Sequence, residues 1–281
     1  MITKEIKLLG VVITYCPELE NLCANINSYI DDLDKLIVWN NTPELSNEEL
    51  KHNLENNGIL SHKITILGEG ENRFIAYPLN RALDYGVQNS FTHLLTLDQD
   101  SQFDQGGLRL LKDYVIKYGF AISGVNPNNR YSSDVEYHEL LTVITSGTVY
   151  DINVLTSVGN FNEEYGIDSV DYEICFKFLY KGHKTFLFPK VNLNHVFGEP
   201  VKAFGLFTAS NHSPFRLYQI CRNQIRLKNT YPDFFKREFP NFYQNHILKR
   251  IVKIILSEKQ KLKKISSIIK GVCDGLKSQQ F

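Results

Sequence analysis

Short apolar runs separated by helical patterns fill the first two-fifths of the chain. "KLLGVVIT" (7–14), "KLIVWN" (35–40), "HKITIL" (62–67) and "HLLTLD" (93–98) carry few polar positions, as strands buried on both faces of a parallel sheet require. Helical patterns lie between them, from about Glu18 to Ile30 and over "RFIAYPLNRALDYGV" (73–87). Strands alternating with helices predict βαβ units: an α/β fold with a mostly parallel central sheet covered on both faces. Pro78 falls inside the second helix, where it should kink the chain.

After residue 100 the rhythm loosens. A helix near 105–117 leads to a strand at "GFAISGV" (119–125), a polar loop, and a further strand at "LLTVITSG" (140–147). The segment "FNEEYGIDSVDYEICFKFLYKG" ends in a helix, and two short strands, "KTFLF" and "VNLNHVF", bring the chain to about residue 197. From Pro214 onward the pattern is helical. With no internal repeat and no Pro/Gly linker, the chain reads as one αβα body, residues 1–212, with a C-terminal helical extension, residues 213–281.

Charge changes this picture in one place. The formal net charge is zero, which argues against nucleic acid as a partner of the whole molecule. From Lys249 to the end, however, nine Lys or Arg stand against Glu258 and Asp274, so this tail is about +7 and the body about −7. Such a tail suits an anionic surface or is a solvated basic face. Five cysteines, odd in number and without metal-type spacing, read as reduced thiols. The apolar run at the N-terminus is too short for a signal peptide, and no stretch approaches a membrane span, so the expectation is a cytoplasmic protein.

Two acid pairs with the same spacing invite comparison: Asp32 with Asp34, and Asp98 with Asp100 in "LLTLDQDS". The first pair precedes a strand; the second follows one. Ligands of open α/β sheets bind outside the carboxyl ends of the strands, so the second pair is where a divalent cation belongs. A hard cation takes carboxylate oxygens together with a substrate's phosphates. Thr14, Tyr15, Asn40 and Asn41 end other strands on the same rim, where asparagines can read a base edge or a ribose hydroxyl. "GEGENR" (68–73) fits neither the phosphate-loop nor the dinucleotide fingerprint.

A second acidic cluster, "YGIDSVDYEICFKF", places Asp168, Asp171 and Glu173 at the start of a helix. Asp171 leads an apolar stripe through Ile174, Cys175 and Phe178, so it faces inward and has the better claim to chemistry; Asp168 suits a helix cap. His195 ends the last predicted strand and becomes a metal-ligand candidate if an oxygen-ligated cation lies nearby. Arg216, Arg222 and Arg226 lie along one helix, as phosphate contacts or as a solvated face.

With these residues in view, "LLTLDQDS" resembles the metal-binding motif of rhamnosyltransferases among the inverting family 2 glycosyltransferases. "TYCPELENL", "IVWNNTP", "GENRFIAYPLNRALDYG", "ITSG", "VGNFNEEYGIDSVDYEICFK", "LNHVFGE", "RLYQICRN" and "IIKGVCDGLK" are similar to further segments of that family, in order and along nearly the whole chain. The resemblance implies a GT-A (nucleotide-diphospho-sugar transferase) fold, a nucleotide-sugar donor and Mg2+ or Mn2+. By position, Asp98, Asp100 and His195 would hold the metal. Thr14, Tyr15, Asn40, Asn72, Asp98, Gln99, Arg222 and Asn223 would bind the donor, Arg222 and Asn223 near its phosphates. Asp171 falls on the catalytic base, with Asp168 and Glu173 as acceptor or supporting residues. Asn40 stands where the family more often has Asp, Phe74 replaces a usual glycine, and Lys177 occupies a common Arg position.

The function implied is transfer of a sugar, L-rhamnose from dTDP-rhamnose, onto a glycan or lipid-linked glycan in bacterial surface polysaccharide synthesis. The alternatives are a UDP-sugar donor (galactosyl, galactofuranosyl or N-acetylhexosaminyl) on the same fold, or a non-catalytic glycan-binding relative. The basic C-terminal helices would meet anionic membrane, pack on the body, or form a homodimer.

Overall fold

The computed structural model describes residues 6–195, 201–203, 207–209 and 211–277, and of 201–203 and 207–209 the backbone only. Four strands open the chain: β1 (Leu8–Thr14), β2 (Lys35–Asn40), β3 (Ile64–Leu67) and β4 (His93–Asp98). They pair in parallel in the order β3-β2-β1-β4. Alternate β1 residues enter different cores. Leu8 and Val12 face helices α1 (Leu19–Asn27), α2 (Asn47–Asn56) and α4 (Gly107–Tyr118), whereas Leu9 and Val11 face α3 (Ala76–Gln88) and α5 (Ile152–Val158). All four of these β1 side chains are buried, and each contributes about 1.5–3 kcal/mol of transfer free energy.

The sheet continues through β5 (Gln102–Phe103), β6 (Ile122–Pro127), β7 (His138–Leu140), β8 (Thr148–Asp151) and β9 (Thr185–Asn194). β8 lies antiparallel between β4 and β6, β9 runs parallel to β6, and the short β5 and β7 pair antiparallel with β9. Six strands therefore run one way and three the other, a mostly parallel sheet as expected. A two-stranded ribbon, β10 (Val201–Ala203) and β11 (Phe207–Ala209), precedes the C-terminal helices.

Three local expectations need correction. The strand expected at 140–147 is mostly irregular: Thr148 N–H bonds the Thr145 carbonyl and Gly147 sits at φ +79°, so the chain turns before β8 begins. The β-branched run "TVIT" cannot itself reveal that turn. Conversely, "KTFLF" and "VNLN" are one strand, β9, carried through Pro189 at a register shift against β6, where a missing N–H is tolerated. His195 immediately follows it, while Val196 and Phe197 of the expected strand lie outside the described residues. Pro78 is the third residue of α3 and not an interior kink; its absent N–H is one of those a helix start leaves free.

Past residue 212, α7 (Pro214–Thr230) is followed by α8 (Pro232–Glu238), a π-helical segment at Tyr243–Leu248, α9 (Lys249–Ser257) and α10 (Lys261–Lys277). Ser213 caps α7, its hydroxyl accepting from Arg216 N–H, and Pro214 takes the first helical position. One side of α7 joins the body's core through Ile225 and Leu227. Another, through Leu217 and Cys221, packs with Ile254 and Ile268 of α9 and α10. α10 comes very close to α7 because Gly271 and Gly275 face it. A Cβ on Gly271 would stand 2.5 Å from the Tyr218 carbonyl oxygen, and one on Gly275 2.8 Å from that of Arg222.

Backbone cannot move aside as a side-chain tip can. Gly271→Ala is therefore expected to destabilise the fold by about 1–3 kcal/mol, despite alanine's helix preference of about 1 kcal/mol. Urea unfolding reads this directly; a midpoint equal to or above the parent's would contradict the close approach.

Candidate active site

The rim of the site is built by the loop after β4. Parallel pairing sets Asp98 level with Ile13, one residue short of the end of β1. Asp98 N–H donates to Ser101 Oγ at 3.2 Å and lies 3.4 Å from Ser146 Oγ, and the two serine hydroxyls bond each other. Gln99 braces the loop from the opposite side: its side-chain oxygen accepts from Tyr15 N–H at 2.8 Å and its carbonyl from Asn25 Nδ2 at 2.9 Å. The turn before β8 is what brings Ser146 here. Ser101 and Ser146 were not singled out from sequence, although Ser101 stands directly beside Asp100.

β9 supplies the third side chain. Asn194 pairs with Gln102 of β5, which places His195 over the acidic loop. His195 N–H donates to Asn128 Oδ1 and its carbonyl accepts from Asn128 Nδ2, at 2.9 and 2.8 Å. Its Nδ1 is 3.1 Å from Asp100 and its Nε2 3.8 Å from Asp98. One ligand atom from each of Asp98, Asp100 and His195 lies within 4.8 Å of the others. Burial lowers the imidazole's affinity for a proton, but the hydrogen bond and charge of Asp100, with the charge of Asp98, outweigh it and leave the pKa raised. Desolvation likewise raises Asp98, with His195 opposing and Asp100 reinforcing.

Two carboxylates and an imidazole fit a cation such as Mn2+, which accepts oxygen and nitrogen donors, and fit Mg2+ through the carboxylates. The other acid pair is structural. Asp34 Oδ2 accepts from Leu8 N–H at 2.7 Å and Asp32 pairs with Arg109 at 3.2 Å.

Asp171 occupies the first turn of α6 (Val170–Tyr180). Residues 168 and 169 both take positive φ, +63° and +67°, a sharp turn into the helix. The Asp171 carboxyl accepts from Tyr172 N–H at 2.9 Å. Burial pushes its pKa up to about 7; that N–H pulls it down, and the charges of Asp168 and, more weakly, Asp98 push it further up. Asp98 is thus near enough to Asp171 for its charge to be felt there.

Several expected donor-binding residues are committed elsewhere. Thr14 is fully buried with its hydroxyl on the Trp39 carbonyl at 3.1 Å. Asn40 is also fully buried, donating to Leu45 O and Asn47 Oδ1 and accepting from Thr42 N–H. Asn72 accepts from Phe74 N–H, supporting that residue at φ +58°, where a glycine would sit without strain. Tyr15 is 51% exposed.

Arg222 and Asn223 bond the loop before α6. Asn223, fully buried, donates to the carbonyls of Tyr165, Ile167 and Asp168 at 2.8–3.0 Å. Arg222 bonds Glu164 O at 3.0 Å and Asn223 Oδ1. Asp168 is not a cap: it forms a two-point pair with Arg216 at 3.1 Å. Glu173 stands two residues beyond Asp171, about 200° around the helix, and so points away from it. It pairs with Lys177 at 3.2 Å and faces a separate cavity of about 500 Å³ that Asn80 and Tyr231 also line.

The mostly parallel sheet thus ends in an acidic rim, and the half-buried Asp171 carboxyl stands on a helix start near it. Solved structures share this fold. GalNAc-T7, crystallised with UDP, GalNAc and Mn2+, superposes with a TM-score of 0.61 at 12% identity over 95% of this chain, which spans 57% of that protein's length. S. aureus TarS 1–349 in complex with UDP-GlcNAc gives 0.64 at 15% identity, covering 96% of this chain and 81% of that one. In sequence the chain is rhamnosyltransferase-like. It is 25% identical over 296 residues to the dTDP-rhamnosyl transferase RfbF of Shigella flexneri, covering 96% of this chain and 95% of the relative. No family model matches the chain.

If the acidic cluster is a cation site, Asp98→Asn/Asp100→Asn should bind Mn2+ at least tenfold more weakly than the parent, while Asp32→Asn leaves binding unchanged. Calorimetric titration with Mn2+ alone distinguishes the pairs; equal losses in both would remove the site.

Proposed function

We propose that the protein is a metal-dependent, inverting glycosyltransferase that moves L-rhamnose from dTDP-rhamnose onto a hydroxyl of a glycan acceptor in bacterial surface polysaccharide synthesis. The observation that carries the chemistry is the Asp98–Asp100–His195 cluster, with Asp171 near enough for the charge of Asp98 to act on it. The donor assignment is supported by the relative that matches over nearly the whole chain.

In this reading Asp98, Asp100 and His195 hold Mn2+ or Mg2+, which when bound supplies Lewis-acid neutralisation of the leaving diphosphate. Asp171 takes the proton of the acceptor hydroxyl as its oxygen attacks the anomeric carbon. The bond from that carbon to the donor phosphate breaks, and the nucleoside diphosphate leaves with the electron pair. Attack opposite the leaving group inverts the configuration. A general base works best with a pKa near the working pH, and burial places Asp171 there. Arg222 and Asn223 act indirectly, since their bonds hold the segment that delivers Asp171.

Asp171→Asn retains the shape and loses the base. Transfer should fall by about 10²–10⁴-fold while calorimetric affinity for the donor stays within a few-fold; normal turnover would remove Asp171 from the reaction. The pH profile gives an independent reading. Below about 7 the Asp171 carboxyl is protonated and cannot accept. Accordingly kcat/KM should drop about tenfold per pH unit below that value and level off above it; a flat profile between pH 5 and pH 8, on an order-of-magnitude view of that ionisation, would contradict the role.

The second reading, a UDP-sugar donor, is favoured by the fold shared with TarS and GalNAc-T7. Binding of dTDP-rhamnose, UDP-GlcNAc and UDP-galactose in the presence of Mn2+ separates the two. Tight binding of dTDP-rhamnose alone supports the rhamnosyl assignment, and preference for a UDP-sugar overturns it while leaving the mechanism intact.

A further inference from the structure

The C-terminal helices expose apolar side chains in a pattern that packing on the body does not consume. At the entry to α9 and along it, Leu248, Val252, Ile255 and Leu256 are 44–57% exposed. At 100° per residue they fall within roughly a 100° arc, a single stripe. Along α10, Leu262, Ile269 and Leu276 are 56–85% exposed and stand seven residues apart, so they too lie on one face. The buried positions of these helices, Ile254 and Ile268, are different residues and already have partners on α7.

Each of five of these apolar positions is followed directly by a lysine: Leu248–Lys249, Val252–Lys253, Leu262–Lys263, Ile269–Lys270 and Leu276–Lys277. All five lysines are exposed. A lysine one residue on sits about 100° around the helix, at the edge of the apolar stripe. Its stem can lie along an apolar surface while the ammonium stays at the polar boundary.

Neither acid of this region is exposed. Glu258 is buried, 2.6 Å from the buried Lys264, and Asp274 is half-buried and accepts from the Tyr218 hydroxyl at 3.1 Å. A second copy docking face to face would set lysine rows against lysine rows with no exposed acid between them. A nucleic-acid backbone would satisfy the lysines and give the leucines nothing. An anionic bilayer satisfies both, with acyl chains for the stripe and phosphates for the ammonium groups. Among the described residues no helix is long and apolar enough to cross a membrane, so the contact is one of surface and not of span.

We infer that α9 and α10 form a membrane-docking surface that binds the interface of anionic phospholipid bilayers. The inference stands on this surface alone and does not depend on which sugar is transferred.

The test is co-flotation of the full chain with vesicles of phosphatidylcholine, with and without phosphatidylglycerol, at low and high salt. The expected result is binding to the phosphatidylglycerol vesicles that weakens with salt and is absent with phosphatidylcholine alone. Lys249→Gln/Lys253→Gln/Lys263→Gln should lower the partition coefficient by about fivefold per lysine. Val252→Ser/Ile255→Ser should lower binding even at low salt. Because these side chains are exposed, unfolding midpoint and Mn2+ binding should match the parent, which separates lost docking from lost fold. No flotation with phosphatidylglycerol at low salt overturns the inference, as does equal flotation with both lipids. Concentration-dependent dimerisation that the Val252→Ser/Ile255→Ser variant abolishes, without lipid binding, would assign the stripe to a second copy.

Discussion

Two carboxyl groups, Asp98 and Asp100, meet His195 at one rim of the sheet, with Asp171 near enough to feel the charge of Asp98, and much of the surrounding structure holds these groups in place. Like charges brought together and partly screened from water lose hydration and repel. The consequence is visible in the raised proton affinities of Asp98 and Asp171, while the charges of Asp100 and Asp98 raise that of His195 against its desolvation. The cost is met by anchoring: a serine pair and Gln99 for the β4 loop, Asn128 for His195, and Asn223 for the turn before α6. An acidic cluster of this kind is chemically suited to a divalent cation.

α7 joins the two halves of the molecule. Its buried Asn223 fastens the loop that precedes Asp171, and Arg216 fixes Asp168 from the first turn of the same helix. Its other face receives α10 at two glycines. The helical C-terminus is therefore mechanically continuous with the base of the cleft. A surface on α9 and α10 that met a membrane would be coupled to the active site through one helix.

Much of this was legible along the chain. The strands "KLIVWN" and "HLLTLD" coincide with β2 and β4 residue for residue, because a buried parallel strand must be apolar throughout. The choice between the two acid pairs followed from which end of a strand each occupies. The inward aspect of Asp171 followed from the helical period. What could not be read was how polar side chains would be spent. Thr14, Asn40, Arg222 and Asn223 stand in the order that the family resemblance suggests, yet their hydrogen bonds go to backbone and to neighbours within the protein. A polar residue in sequence carries no mark of whether it faces a ligand or a carbonyl.

Sequence by itself determined the alternating architecture, the acidic strand end, the inward carboxyl at a helix start and the basic tail, since each depends on periodicity or composition over a few residues. Tertiary structure alone decided that Ser146 braces the Asp98–Asp100 cluster, that Asn128 holds His195, and that Asn223 is spent on the carbonyls before Asp171. Those relations join residues tens of positions apart. They are set by sheet register and helix phase, which only the packed chain specifies.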